Sequence, residues 1–386
     1  MKRVTVGFLA TLLLLVASAC GLAQVAQAPT VAAPSQTNAS GVATVQTWEK
    51  EWADVIEAAK REGRVVIYGS SGPTPREVMG PVFQAKYGVE MEFMSAKGAQ
   101  LAEKIATERR AGLYIPDIYI GGPTTVLDML KPQGFLDPIE PLLLLPEVKD
   151  ARYWVGNKIN FLDKDRLLLA YVASIEAPLG YNTDLVKTGE LKSYKDLLSP
   201  RWKGKLSMND PTVSGTGAEW YTIVRTKTMG IDFMRELAKQ EPVIIRDLRL
   251  QAEWLAKGKY PILIGPHDAT FTEFKDAGAP ITAFVPEEGA WIKTGGGNIS
   301  LMNRGSHPNA TRLFVNWLLS KEGGLLWQKA MHQQSGRVDV AADFLDPMKV
   351  RKEGVQYVSA DDDEEFQLKR PEYMKEAQQV FAGSLK

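Results

Sequence analysis

The sequence predicts a mixed α/β protein in two lobes, each a mainly parallel sheet flanked by helices. Two observations predict it. Short apolar runs end in loops of Gly and Ser and then give way to helical periodicity. RVVIYG (64–69) before SSGPTP (70–75) is one such unit, and DIYI (117–120) before GGPT (121–124) is another. Strand–loop–helix units of this kind build parallel sheets. The part from Trp48 to Lys386 also exceeds the ~100–200 residues of one domain, which favours two.

The N-terminus belongs to neither lobe. Lys2 and Arg3 precede an apolar run, Val4 to Val16, and Ala17-Ser18-Ala19 supplies the small residues of a cleavage site. Residues 1–19 therefore read as a signal peptide, since the run falls short of the about 20 residues of a membrane span. Cys20 follows at once and is the only cysteine of the chain. It can form no intrachain disulfide, and lipidation explains both its place and its solitude. No Asp, Glu, Lys or Arg occurs from Val4 to Trp48. Residues 20–47, rich in Ala, Gln, Thr, Val, Ser and Pro, read as a flexible tether between lipid and lobes.

Trp48, Trp52, Ile56 and Ala59 recur at helical spacing, predicting a helix over Glu49–Glu62 closed by Gly63. Arg64–Gly69 reads as a buried strand. The turn after it opens a helix that Thr74 caps, Pro75 starts and Pro81 bends. Val89, Met91 and Phe93 alternate as a strand, a helix runs to Arg110, and Asp117–Ile120 is a strand with a helix after Thr124. Leu168–Ala173 and Leu179–Thr183 read as strands at a crossover. A second set has strands at Lys205–Asn209, Val243–Arg246, Tyr260–Gly265 and Ile281–Val285, with helices at Leu250–Lys257 and Thr270–Asp276. Gly295-Gly296-Gly297 precedes a strand over Asn298–Asn303, and two helices start near Pro308 and Lys321. The acidic run Asp361–Glu365 reads as solvated surface.

Formal net charge is zero, from 46 basic and 46 acidic residues, which argues against nucleic acid as a partner. In open α/β sheets a ligand sits beyond the carboxyl ends of the strands. Three loops place small residues there: Ser70-Ser71-Gly72, Gly121-Gly122 and Ser214-Gly215-Thr216-Gly217. Glycine admits close backbone approach, hydroxyls donate, and the unpaired N–H groups of a helix start attract negative charge. Arg246, ending a strand, is a candidate for bidentate pairing with an anion, and Arg249 is its competitor. His267 and Asp268 follow a strand at the same edge. They read as metal ligands, as acceptors for an amine of the ligand, or as a rim His beside a helix-capping Asp. Lys97 and His307 read as structural, and His332 has no assigned role. H-E-x-x-H, Walker, G-x-G-x-x-G and G-x-S-x-G patterns are all missing. No catalytic residue, metal or cofactor is assigned.

The stretch from Val65 to Ile105 resembles the start of bacterial extracellular solute-binding proteins, in the branch of the periplasmic ferric-ion-binding proteins. The similarity continues through PDIYIGG (116–122), LGYNTDLV (179–186), SYKDLLSPRWKGKLSMNDPTVSGTG (193–217), Gly295 to Asn298 and HPNATRLFVNWLLSKEGGLLWQ (307–328). It implies a two-lobed periplasmic-binding-protein-like fold of type 2, with a cleft that closes by hinge motion. Residues 48–174 and 288–340 would form one lobe, and 175–287 with 341–386 the other. It also implies a small-molecule ligand, an ABC permease and its ATPase as partners, and a monomer. The site would be exported and lipid-anchored, on the outer face of the cytoplasmic membrane or in the periplasm. The branch's iron ligands are not matched: their places hold Gly72, Gly122, and His267 with Asp268. Ser214-Gly215 and Thr216 do match the family's anion loop. An organic anion is the leading ligand class. A metal or metal chelate is the alternative, and a surface sensor or adhesion module is a further one.

Overall fold

The computed structural model describes residues 39–386 apart from 214, 267, 290, 348, 349, 353–356, 360–363 and 386. The signal peptide, Cys20, most of the tether, Ser214 and His267 lie outside the described residues, as does the side chain of Asp268. The chain divides into two compact units, Met1–Thr44 and Val45–Lys386. Of the first, residues 39–44 are helical.

In chain order the elements begin with α1 (Ala39–Glu62), β1 (Arg64–Gly69), α2 (Thr74–Tyr87), β2 (Glu90–Ser95), α3 (Gly98–Arg110), β3 (Ile118–Ile120), β4 (Leu136–Asp137), α4 (Pro146–Lys149) and β5 (Leu169–Ala170). There follow β6 (Ser174–Glu176), β7 (Leu179–Asn182), β8 (Leu206–Asn209), α5 (Thr216–Ile223), α6 (Gly230–Lys239), β9 (Val243–Ile245), α7 (Leu248–Ala256), β10 (Ile262–Ile264), α8 (Asp268–Asp276) and β11 (Ile281–Phe284). The chain ends with β12 (Trp291–Lys293), β13 (Asn298–Met302), α9 (Pro308–Leu319), α10 (Lys321–Met331), β14 (Val358–Ser359) and α11 (Glu364–Val380).

The first sheet has the order β2-β1-β3-β13-β4, with β5 also on β13. β1, β2 and β3 run parallel, and β13 returns antiparallel between β3 and β4. Alternation along β1 sends Val65 and Ile67 to one core and Val66 and Tyr68 to another. Both faces are therefore covered, as the unbroken apolar run requires. On one side Phe83 of α2 packs against Phe314 and Trp317 of α9. Burying each such ring stabilises by about 1.5–3 kcal/mol. On the other side Leu101 and Ile105 of α3 cover Tyr119.

The second sheet has the order β11-β7-β10-β8-β9, its β10, β8 and β9 parallel and β7 antiparallel. Trp220 of α5, Leu237 of α6 and Phe366 and Ala377 of α11 share one of its cores. A third sheet has the order β14-β12-β6. Its β6 and β12 are the segments by which the chain passes from one sheet to the other, and β14 leads from α10 into α11.

Local differences from the sequence expectations have plain causes. Helix α1 starts at Ala39 rather than Glu49, because no proline interrupts the segment ahead of Trp48. Pro73, not Thr74, stands at the N-cap of α2; Thr74 is already helical and makes no side-chain cap. The expected helix after Thr124 takes the wider π form over Thr125–Leu130. The acidic run is not all solvated: Glu364 lies 2.7 Å from Lys131, which also pairs with Asp163 and Asp165 at 3.0 and 2.9 Å.

Candidate functional site

At the carboxyl edge of the first sheet three loops are tied together by main-chain bonds. β1 ends at Gly69 and β3 at Ile120, and the Ser70 amide donates to the Ile120 carbonyl at 2.9 Å. The Gly121 amide donates to the Asn298 carbonyl at 3.0 Å. In return the buried Asn298 side chain donates to the Gly121 and Gly295 carbonyls, both at 3.0 Å. Ser71 Oγ donates to the Gly296 carbonyl at 3.2 Å. Ser70, Ser71, Gly121 and Gly122 are thus brought together, with Gly295–Gly297 as an unforeseen third side.

Glycine is required here by space. A Cβ at Gly121 would stand 2.5 Å from both Ser70 Oγ and Tyr119 Oη. One at Gly297 would stand 2.1 Å from Val172 Cγ2. Gly122 differs: its Cβ would meet nothing nearer than the Gly295 carbonyl at 3.8 Å. Gly72 turns the loop with φ +76°, in the left-handed region. The amides of Ser71, Gly72 and Gly122 have no hydrogen-bond partner among the described residues. Ser71 and Gly72 stand just ahead of α2 and Gly122 just ahead of the next helix, and helix starts attract anions. Burial pushes the Tyr119 phenol up, so this hydroxyl stays neutral beside the loops.

At the second sheet β8 and β10 end side by side. Asn209, the last residue of β8, is buried, and its Oδ1 accepts from the Gly217 amide at 3.0 Å. Thr216 Oγ1 donates to the Gly265 carbonyl at 2.9 Å and lies 3.2 Å from Asn209 Oδ1. The hydroxyl proton of Thr216 is therefore engaged within the protein. Gly215 stands at the N-cap of α5 with φ +152°.

Arg246 lies just past β9, the outer strand. Its Nε donates at 2.7 Å to Asp210 Oδ2, while its side chain is 72% exposed. Asp210 Oδ1 accepts from the Thr212 amide and hydroxyl at 2.8 and 2.6 Å. Burial would raise the Asp210 carboxyl, but the Thr212 and Arg246 hydrogen bonds outweigh it and hold it below its ordinary value. The guanidinium opens on a hollow lined also by Ile244, Gln378 and Leu385, beside the end of α11. Arg249, the competitor, pairs with Glu273.

Sequence reasoning missed a residue that ties the crossing strands to the second sheet's edge. Lys293, on β12, lies 2.9 Å from Glu176 on β6 and 2.7 Å from Glu219 in α5. Its side chain thus links the crossing sheet to the helix behind Gly215. Gln333 was missed too; a Cβ at Gly295 would stand 3.2 Å from its Nε2. The available signal was the amide residues Asn209 and Asn298 at the ends of short buried strands. His307 accepts a different role from a cleft ligand: its Nδ1 lies 2.8 Å from the buried Asp117, at the entry to α9. Among the described residues no group of three or more His, Cys, Asp or Glu is placed to hold a metal ion. Nor is any helix among them long and apolar enough to cross a membrane.

The sequence profile of the bacterial extracellular solute-binding protein family matches residues 64–330. An uncharacterised protein from Haemophilus influenzae is 28% identical over 290 residues, covering 71% of this chain and 78% of that one. The solved structure of the periplasmic binding protein AfuA from Actinobacillus pleuropneumoniae, with fructose-6-phosphate bound, is similar at a TM-score of 0.58 and 22% identity, covering 83% and 99% of the two chains. The Trichodesmium protein IdiA (FutA), in complex with iron and citrate, is similar at 0.63 and 15%, covering 82% and 99%. The fold they share is the two-lobed type 2 architecture of periplasmic binding proteins.

Proposed function

Because the chain belongs to the bacterial extracellular solute-binding proteins, we propose that it captures a small organic anion between its lobes. As a solute-binding protein of the ABC-importer type, it takes a small-molecule ligand and works with a permease and an ATPase. The ligand class is a carboxylate, phosphonate or phosphate ester. One observation carries this reading: the amides of Ser71, Gly72 and Gly122 at one strand edge lack internal partners among the described residues. Unpaired N–H groups beside helix starts complement negative charge without a cationic side chain. Ser70 and Gly121 hold these donors in place. Ser214, Gly215, Thr216, Arg246, His267 and Asp268 are proposed for the facing lobe.

The lobes are taken as 48–174 with 288–340 and 175–287 with 341–386, closing about the crossing sheet. A guest that touches both edges favours the closed form by its added contacts there. Cys20 is the proposed lipid attachment point; labelling with a fatty-acid analogue should tag the wild type and not Cys20→Ser.

A thermal-shift screen of sugar phosphates, carboxylates, phosphonates, amino acids, neutral sugars, polyamines and ferric citrate tests the ligand class. A ligand at about 100 times its Kd stabilises by about 2.7 kcal/mol, and the anions should supply the hits. Stabilisation by neutral sugars or polyamines alone would sink the reading. A second reading, a metal chelate, is favoured by the similarity to the iron- and citrate-bound protein. Response to ferric citrate but not to citrate marks that outcome.

A further inference from the structure

Beside the glycine loop stands a side-chain donor that nothing inside the protein uses. Gln333 lies just past α10, and the indole N–H of the buried Trp327 donates to its Oε1 at 3.3 Å. An indole nitrogen can only donate. The bond therefore settles which end of the amide is which, with Oε1 on Trp327 and Nε2 left over. Nε2 meets no acceptor among the described residues and stays open to solvent.

Its neighbours belong to the candidate site. A Cβ at Gly295 would stand 3.2 Å from Nε2, and one at Gly122 would stand 3.8 Å from the Gly295 carbonyl. Gly295 is thus a neighbour of both Gln333 and Gly122, and, having no side chain, it leaves Nε2 uncovered. A Cβ at Gly296 would likewise stand 2.8 Å from Ser71 Oγ. Gln333 is also tied to the crossing strands. The Ala173 amide donates to the Gln334 carbonyl at 2.9 Å, and the Gln334 amide donates to Ser174 Oγ, at the start of β6, at 2.7 Å.

We propose that Gln333 is a ligand-binding residue, whose Nε2 donates to an oxygen of the anionic group that the amides of Ser71, Gly72 and Gly122 also hold. The inference rests on the anion reading of the cleft and narrows it. The guest presents an acceptor oxygen to Gln333, as a carboxylate, phosphonate or phosphate does and an ammonium does not. Trp327 is a positioning residue, because its N–H keeps the amide from turning its own oxygen towards the anion. Since the next residue is bonded to the start of β6, a guest held by Gln333 bears directly on a crossing strand.

Calorimetric titration of the full chain with citrate, glucose 6-phosphate and methylphosphonate tests this. Gln333→Glu keeps an acceptor for Trp327 and puts a negative oxygen where the N–H was. It should melt like the wild type and bind the tightest of the three anions about a hundredfold more weakly or worse. Gln333→Leu should weaken that anion about tenfold to a hundredfold, the loss of one hydrogen bond to a charged group. Trp327→Phe, which frees the amide to turn, should cost less than Gln333→Leu. Wild-type affinity in Gln333→Glu would overturn the proposal and leave the anion reading standing. Loss in Gln333→Glu with none in Gln333→Leu would mark a neighbour rather than a contact, and would overturn it too. If none of the three anions binds the wild type, the anion reading falls and this inference with it.

Discussion

Gly121 and Gly122 are neighbours in sequence, but a methyl group would meet different surroundings at each. At Gly121 it would run into Ser70 Oγ and Tyr119 Oη, so Gly121→Ala should destabilise the fold by about 1–3 kcal/mol. At Gly122 it has room, so Gly122→Ala should keep the wild-type melting temperature while weakening ligand binding. Equal affinity in that variant would remove Gly122 from the binding surface. Asp210 gives a pH-dependent case. Its folded carboxyl is held below the ordinary 3.8, so its stabilisation is fully present above that value and fades as pH falls through the folded one. Asp210→Asn should cost about 1–3 kcal/mol at pH 7 by leaving buried donors poorly matched. In urea melts the gap between the two proteins should narrow below about pH 4; a constant gap down to pH 2 would assign the loss to packing instead.

At the scale of elements, the start of α5 is set by a strand end rather than by its own cap. Gly215 makes no side-chain cap, and Asn209 Oδ1 takes that part for the Gly217 amide. The helix therefore approaches β8 so closely that a Cβ at Gly217 would lie 2.2 Å from the Asn209 carbonyl. Backbone cannot yield as a side-chain tip can, so Gly217→Ala should cost about 3 kcal/mol, at the upper end for overpacking. Asn209→Ala should lower both stability and ligand affinity, because it frees the helix start that faces the proposed guest. A variant that melts and binds like the wild type would contradict this.

Across the whole molecule, the C-terminal segment acts as a strap. Arg351 donates to the carbonyls of Ala173, Ser335 and Arg337, and burial pulls its guanidinium down to about 10. Lys275 of α8 pairs with Asp346, five residues before Arg351. Glu364 then meets Lys131, beside the first sheet, while the rest of α11 packs on the second. Burial alone would lower the Lys131 ammonium, but Glu364, Asp165 and Asp163 outweigh it and raise it above the ordinary 10.5. Its contribution is thus complete below that pH and lost only above it. Lys131→Met leaves Asp163 buried without its cation and should cost about 3 kcal/mol at pH 7. The same variant removes one of the links between α11 and the first lobe, the attraction of Arg370 for Asp128 remaining, so small-angle scattering should show a larger apo radius; an unchanged profile would mean the strap holds without this link.

By itself the sequence determined what is local. The apolar run at Val65–Tyr68, the helical spacing of Leu313, Phe314, Trp317 and Leu318, and the Gly and Ser loops after β1 and β3 are set by side-chain periodicity and backbone freedom, which act over a few residues. The two-lobed α/β fold followed from them together with the family resemblance. Only the tertiary structure decided which distant residues share an edge. It set Asn298 across 177 residues against Gly121, gave Arg246 to Asp210, and placed Lys293 between Glu176 and Glu219. These pairings arise when β13 returns antiparallel into the first sheet and β12 crosses beside β6. Strand order is fixed by the burial of whole faces rather than by any one segment, and local periodicity carries no record of it.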